Sequence, residues 1–385
     1  MLAALARKGS ATSDMDDHVG VGILGAGWIT RVHGHALRTI GHIAPLARPV
    51  RLTALAARRR EPGERMAREL GVERFTTDWA DVVNDPAVHV VANLLGATAH
   101  VAATEAALAL GKPVLCEKPL GSDRFEARRL LAAATRAGVP AVCGFNYRYV
   151  PAMRLAREIV WSGELGRVVH FRAVYLQDHA IVTPRLRPPN DSRAVTDYAH
   201  IVDFLRYLGC EAEAVQATAA KLTDAGPDVE DAYVAAVDLR GGGIASLEAS
   251  RVARGWKGRQ VVEFNGTRGS LWWNMEDLNR LHVFHGADEA GRSGGFRDVL
   301  VTQADHPFLG LWWPPGHPIG WEHSFVHEWR DLLSTVIDGR PLPPEQATFE
   351  DGYQAAVLCD AIIASAREGR RVRIEEMTAA PEGSA

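Results

Sequence analysis

A chain of 385 residues, 47% hydrophobic and 23% charged, is long enough for two cores and has the make-up of an ordinary globular protein. Its net charge of −4 gives no basic face for nucleic acid, and no apolar run nears the roughly 20 residues of a membrane span. Cys116, Cys143, Cys210 and Cys359 form no CxxC, which fits reduced thiols in a cytoplasmic protein better than a disulfide framework or a zinc site.

Residues 1–17 hold a short Ala/Leu segment and a polar stretch, read as a disordered leader in which Met15 is an alternative start. Residues 19–24 are a buried-strand run. It ends in Gly25-Ala26-Gly27-Trp28-Ile29-Thr30, with a helix from Arg31 to about Ile40. Strand, glycine turn and helix make the dinucleotide fingerprint. Gly25 allows the tight turn, and Gly27 lets the backbone approach a pyrophosphate whose charge the helix N-terminus stabilises. Trp28 and Ile29, in the same turn, join the cofactor candidates. Thr30 stands where the fingerprint has Gly or Ala. His33 and His35 lie two apart and share no helix face, which argues against a metal pair.

The second strand, residues 50–56, runs into Ala57-Arg58-Arg59-Arg60 without the acid that holds a ribose 2′-OH. Arginine pairs with phosphate through a planar fork, so the pattern leans toward NADP(H), with Arg58 as the expected 2′-phosphate contact. A solvated charge run at a helix start would read the same way. Helices follow at 62–70 and 79–83, then a strand at 88–94; Thr98-Ala99-His100 opens the next helix, to residue 110. Val114-Leu115-Cys116 then ends a buried strand at Glu117-Lys118-Pro119. A lysine at the carboxyl end of a parallel strand sits where open α/β sheets bind ligands, which makes Lys118 a candidate proton carrier. A helix at 123–137 and a strand at 141–145 complete an alternation expected to build a parallel, doubly wound sheet over residues 18–145.

Gly25-x-Gly27-x-x-Thr30-x-x-His33, Thr98-x-His100, Glu117-Lys118-Pro119 and Gly144-Phe145-Asn146-Tyr147-Arg148 occur in that order. Over roughly residues 19–374 the chain resembles the glucose–fructose oxidoreductase/inositol dehydrogenase (Gfo/Idh/MocA) family of NAD(P)-dependent oxidoreductases. The resemblance implies an α/β protein. An N-terminal Rossmann domain would precede a C-terminal α/β domain with an open, mainly antiparallel sheet, serving substrate binding and oligomerisation over residues 146–385. It implies that Lys118 contacts both substrate and nicotinamide, with Glu117, Thr98 and His100 on the cofactor side and a histidine supplied by the second domain.

In that second domain, a helix at 151–161 and a strand at 168–177 lead to Gln177, Asp178 and His179, then a proline- and arginine-rich loop to Arg193. A helix over 196–208 carries Asp197, His200 and Asp203. Three-residue spacing sets each aspartate on a face with His200, so one carboxylate can orient the imidazole while the ring meets substrate. Family members usually have an aspartate four residues before this histidine. Here that position is Thr196, so either Asp197 takes the role or the carboxylate is missing. Tyr147, Arg148, Gln177, Asp178 and His179 are candidate substrate contacts.

Six strand patterns between residues 214 and 284 read as an antiparallel meander, in which Trp272 and Trp273 face opposite ways. In the family the exposed face of such a sheet forms a subunit contact, which implies a homodimer or homotetramer. Residues 308–322, with Trp312, Trp313, His317, Trp321 and Glu322, resemble the family's substrate loop. Aromatic faces pack on the C–H side of sugars, and His317 can reach hydroxyls; an aromatic packing loop fits equally. His323 and His327 share a face but lack a third ligand, so no metal is expected. Helices at 324–337 and 349–368 and an edge strand at 371–374 close the chain.

The expected activity is hydride transfer between NAD(P) and a secondary alcohol or ketone of a sugar, sugar derivative or cyclitol, with Lys118, His200 and Asp197 as the catalytic set. Two rivals occur on the same fold: a redox-neutral NAD-dependent glycosidase and a non-catalytic regulator that binds nucleotide and sugar.

Overall fold

The computed structural model describes residues 17–182, 193–223, 229–288 and 292–378. The leader at residues 1–16 and most of the proline- and arginine-rich loop lie outside them. Two sheets organise the rest. The first takes β1 (Val19–Leu24), α1 (Trp28–Ile43), β2 (Val50–Ala56), α2 (Arg60–Leu70), β3 (Arg74–Thr76), α3 (Trp79–Val83), β4 (Val90–Asn93), α4 (Ala97–Ala109), β5 (Val114–Glu117), α5 (Arg124–Ala137) and β6 (Ala141–Gly144). Its order is β3-β2-β1-β4-β5-β6, and every neighbouring pair is parallel. Every residue of β1, β4, β5 and β6 is buried, as strands with helices on both faces must be.

Register brings the carboxyl ends level. Leu24 pairs with both Ala56 and Asn93, Asn93 with Cys116, and Glu117 with Gly144. The order in which strands are added reverses between β1 and β4, which opens a crevice above those ends. Local chemistry sets the helix limits: Asp123 caps α5 by accepting from the Phe125 and Glu126 amides, and Gly71 and Gly138 end α2 and α5 in the left-handed region.

Next come α6 (Pro151–Trp161), β7 (Val168–Leu176), α7 (His179–Val182), α8 (Ala194–Asp197), α9 (Ala199–Tyr207) and β8 (Ala212–Ala220). The strands β9 (Ala232–Leu239), β10 (Ile244–Ser250), β11 (Arg259–Gly266), β12 (Gly269–Asn274), β13 (Arg280–His285) and β14 (Arg297–Leu300) follow. The chain closes with α10 (His323–Asp338), α11 (Phe349–Glu368), β15 (Val372–Arg373) and α12 (Ile374–Thr378). The second sheet runs β14-β13-β12-β11-β7-β10-β9-β8-β15. It is mixed rather than a pure meander. β7 lies inside it, parallel to β10 and antiparallel to β11. Alternating burial along β9 and β11 shows one face on the core, where Trp273 is fully buried, while Trp272 stacks on His282 at 3.7 Å on the other.

Two details depart from the sequence reading. The edge strands β3 and β14 have no apolar run, because an edge strand needs only one partner and half of it stays wet. The helix expected over residues 196–208 is broken at Tyr198, whose φ of −102° and ψ of 25° separate α8 from α9. Beyond the second sheet, α10 returns to the first. Phe325, Trp329, Leu332 and Leu333 join Val19, Val21 and Ile23 in one hydrophobic cluster, so late sequence completes the core around β1.

Candidate active site

The turn after β1 is built for an anion. Gly25 has a φ of +111°, and a Cβ there would stand 2.7 Å from the Leu94 carbonyl oxygen. At Gly27 a Cβ would meet nothing within 4 Å, and no side chain caps α1. The amide N–H groups of the first turn therefore face open space. This turn, at the crevice of the parallel sheet, fits a dinucleotide pyrophosphate. Trp28 is 69% exposed at the helix start and Ile29 is half-buried beside it. Thr30 is fully buried, and its Oγ1 finds no partner among the described residues. At the end of β2, Ala57 is buried while Arg58 and Arg59 are exposed; Arg60 pairs with Glu64 at 3.1 Å.

Lys118 follows the last residue of β5, and its bond to Pro119 is cis. Glu117 is tied on both oxygens. Oε1 lies 2.9 Å from His33 Nε2, and Oε2 accepts the Lys118 amide at 3.0 Å. His100 braces the same loop from below, with Nδ1 3.0 Å from the Pro119 carbonyl and Nε2 2.9 Å from that of Leu95. Burial lowers the pKa of His100 against the pull of these carbonyls. Thr98 is exposed in the first turn of α4. Asn93, not singled out from the sequence, anchors that turn by donating to the His100 carbonyl and to Thr104 Oγ1.

The Lys118 ammonium donates to the backbone carbonyl of Asp197 at 2.7 Å. The helix break makes that acceptor available. In a continuous helix the Ile201 amide would bond to the carbonyl of Asp197; here it donates to Tyr198 at 3.1 Å. Asp197 therefore serves Lys118 through its main chain, while its carboxylate pairs with buried Arg251 at 3.5 Å. Arg251, not His200, thus holds the Asp197 carboxylate. Thr196 is buried, its hydroxyl donating to the Arg193 carbonyl.

His200 is buried, and its Nδ1 has no hydrogen-bond partner among the described residues. Burial, then the positive charge of Lys118, hold its pKa well below the ordinary histidine value, so the ring is neutral at neutral pH. Asp203 does not orient it. Both Asp203 oxygens accept from Arg148, at 2.5–3.1 Å, and Arg148 also meets Asp351 at 3.2 Å. Burial works against the Arg148 charge, but the two carboxylates outweigh it and keep the guanidinium charged. Three-residue spacing on a helix was compatible with an Asp203–His200 contact; a neighbouring element supplied a stronger partner.

Aromatic contacts lead from His200 to the remaining candidates. Tyr147 meets the His200 ring edge-on at 4.7 Å, its hydroxyl engages Tyr175, and Tyr175 packs on Tyr198 at 4.4 Å. The Tyr198 hydroxyl donates to Gln177 Oε1 at 3.3 Å and lies 3.4 Å from His179 Nδ1. Asp178 is held by Lys257 at 2.7 Å and by the Gly255 amide; the Lys257 hydrogen bond lowers its pKa. Tyr147, Gln177 and His179 thus form one connected group with His200. Arg148 is sequestered behind it. His317 is exposed, and its ring lies 2.8 Å from the Pro314 carbonyl within its own loop. From that loop it is Trp321 that reaches the dinucleotide turn, stacking on Trp28 at 6.2 Å with 25° between the rings.

Comparison with known proteins agrees with this architecture. Residues 19–145 match the oxidoreductase family with an NAD-binding Rossmann fold, and residues 153–272 match the GFO/IDH/MocA C-terminal domain. Levoglucosan dehydrogenase from Pseudarthrobacter phenanthrenivorans is 31% identical over 405 residues, covering 94% of this chain and all of that enzyme. The chain belongs to the Gfo/Idh/MocA family of oxidoreductases. Within the family, the oxidoreductase domain protein from Kribbella flavida superposes with a TM-score of 0.87 at 33% identity, over 93% of this chain and 99% of that one. Levoglucosan dehydrogenase in complex with NADH and levoglucosan gives 0.85 at 30%, over 93% and 100%. A six-stranded parallel sheet with a mixed, mainly antiparallel second sheet is thus the architecture of this Gfo/Idh/MocA oxidoreductase. No helix among the described residues is long and apolar enough to cross a membrane.

Proposed function

We propose that this oxidoreductase moves a hydride between a nicotinamide dinucleotide and a secondary alcohol of a neutral sugar, anhydrosugar or cyclitol. The observation that carries the reading is Lys118, set at the carboxyl edge of β5 by Glu117 and held across the crevice by the Asp197 carbonyl. Beside it is neutral His200, whose buried Nδ1 has no partner among the described residues. A bound nicotinamide supplies the hydride acceptor or donor. In oxidation, the neutral amine form of Lys118 takes the hydroxyl proton as the carbon gives up its hydride; in reduction the ammonium returns that proton to the developing alkoxide. His200 hydrogen-bonds the same oxygen or its neighbour. Tyr147, Gln177 and His179 orient the ring, and Trp28 and Trp321 offer apolar faces at the mouth.

The cofactor side carries a finer reading. The end of β2 has no carboxylate for a ribose 2′-OH, and exposed Arg58 suits a 2′-phosphate, so NADP(H) is favoured here although a related enzyme holds NADH. Four buried, reduced cysteines support a cytoplasmic setting. The outer face of the second sheet, around Trp272 and His282, is the proposed contact in a homodimer or homotetramer.

The test is reduction of NAD and of NADP, in parallel, against levoglucosan, apiose, inositols and common aldoses. Lys118-dependent reduction with one of them supports the reading. Tight dinucleotide binding with no reduction across the panel, followed by cleavage of a glycoside without net cofactor reduction, would replace it.

A further inference from the structure

His33 belongs to the motif that opens the chain, yet the reaction scheme above gives it no task. It is fully buried on α1, at the interface with α10. Its surroundings fix its chemistry. The Trp329 indole N–H, which is only a donor, donates to His33 Nδ1 at 2.9 Å. Nδ1 is therefore an acceptor, and the ring proton sits on Nε2, which donates to Glu117 Oε1 at 2.9 Å. The other Glu117 oxygen accepts the amide of Lys118. Phe325 and Trp329, one helical turn apart on α10, both meet the His33 ring near a right angle, at 4.9 and 6.0 Å between centroids.

We propose that Trp329, His33 and Glu117 form a positioning chain that sets the peptide carrying Lys118, and that through it α10 controls how the lysine is aimed. The proposal rests on the reading of Lys118 as the proton carrier. A carboxylate bonded on one oxygen alone can swing about its side-chain torsions. Bonded on both, it holds the plane of the Glu117–Lys118 peptide, and with it the direction of the lysine stem toward the Asp197 carbonyl. Both ring nitrogens of His33 are used, so the ring cannot exchange tautomers without losing a bond at each end.

A buried acid beside the positioning chain, Glu328, makes no bond to His33. Glu328, next to Trp329, is fully buried with both oxygens unpartnered among the described residues. Burial, then repulsion from Glu117, raise its pKa well above the carboxyl range, so it stays neutral. The consequence joins two distant parts of the chain. The α10 helix begins just after Trp321, which stacks on Trp28 at the cofactor turn. One helix thus touches the mouth of the crevice at its start and the support of the lysine one to two turns later.

The test compares His33→Leu, His33→Gln, Trp329→Phe and Lys118→Ala in the full chain. His33→Leu keeps volume and removes both hydrogen bonds. His33→Gln restores one donor and one acceptor, and Trp329→Phe removes a single N–H. The expected result for His33→Leu is a loss of kcat of roughly tenfold, with KM and dinucleotide Kd within about twofold. Trp329→Phe loses less, and His33→Gln recovers most of the rate at a melting temperature similar to that of the leucine variant. A second readout needs no substrate: the NMR signal of isotopically dimethylated Lys118, assigned by its loss in Lys118→Ala, moves or broadens in His33→Leu.

Full kcat in His33→Leu while Lys118→Ala is inactive would overturn the proposal and leave the reading intact. Losses in the leucine and glutamine variants that simply follow their melting temperatures would reduce His33 to a structural residue. Turnover in Lys118→Ala would remove the reading itself, and with it the catalytic sense of the chain. An unmoved Lys118 signal in His33→Leu would refute the positioning directly.

Discussion

Lys118 Nζ and the carbonyl oxygen of Asp197 stand 2.7 Å apart, which joins the loop after β5 of one sheet to a broken helix beneath the other. The bond exists because Tyr198 leaves helical geometry and the Ile201 amide moves on to the next carbonyl. Asp197, expected to orient His200 through its carboxylate, meets Lys118 through its main chain.

Replacing Lys118 with alanine should lower kcat by roughly 100- to 10,000-fold, the range for losing a positioned proton carrier. Dinucleotide affinity should stay within about twofold, because the glycine turn and the start of α1 remain. Stopped-flow titration with the reduced dinucleotide, set beside steady-state rates, measures both. Near-normal turnover would rule the lysine out.

Asp197→Ala should cost less than about tenfold in kcat, well short of His200→Ala. The carbonyl that receives Lys118 survives the substitution, and Arg251 keeps its 3.0 Å pair with Asp231. An Asp197→Ala enzyme as damaged as the Lys118 variant would show that the carboxylate itself takes part.

Arg148→Met should act on stability. Removing one partner of a buried ion pair costs about 3–5 kcal/mol, because Asp203 is left buried without the guanidinium that holds it. Urea unfolding would report the loss, and KM for substrate in the folded fraction should be unchanged. A raised KM with no loss of stability would return Arg148 to the list of substrate contacts.

Arg58→Ala should weaken NADPH binding by roughly 10- to 100-fold, the worth of a charge-assisted hydrogen bond, and leave NADH nearly untouched. Isothermal titration with each dinucleotide decides it. Equal losses would mean that Arg58 is solvated charge.

Acid should destabilise the fold through its buried histidines. Burial holds His100 and His200 below the ordinary value, and holds His327 at about 3; His327 accepts from the Trp312 indole at 2.7 Å and lies 2.8 Å from the Tyr149 carbonyl. Their folded-state pKa values are depressed, so below about pH 6.5 the unfolded chain binds more protons and stability falls as the pH drops. The slope is about 1.4 kcal/mol per pH unit for each such histidine. It is fully developed for His327 between about pH 6 and 4. Urea melts across pH 7 to 5 should show His327→Gln with a flatter slope than the parent chain; identical slopes would contradict the assignment.

Much of this protein was readable without coordinates. The doubly wound sheet follows from short apolar runs alternating with amphipathic segments, because a strand covered on both faces must be apolar throughout. Gly25, Gly27 and Glu117-Lys118-Pro119 announce themselves because turns and sheet ends impose local demands that few residues meet. Tertiary structure decided the partners. Spacing placed both Asp197 and Asp203 within reach of His200. Arg148 took Asp203, Arg251 took the carboxylate of Asp197, and the break at Tyr198 left His200 without either. His33 stood in the opening motif without a task until α10, almost 300 residues later, brought Trp329 against it at 2.9 Å. Local sequence encodes backbone preference and which face is apolar. The partner of a buried charge is whichever group the fold brings nearest with the best geometry, a competition among distant residues that no single segment contains.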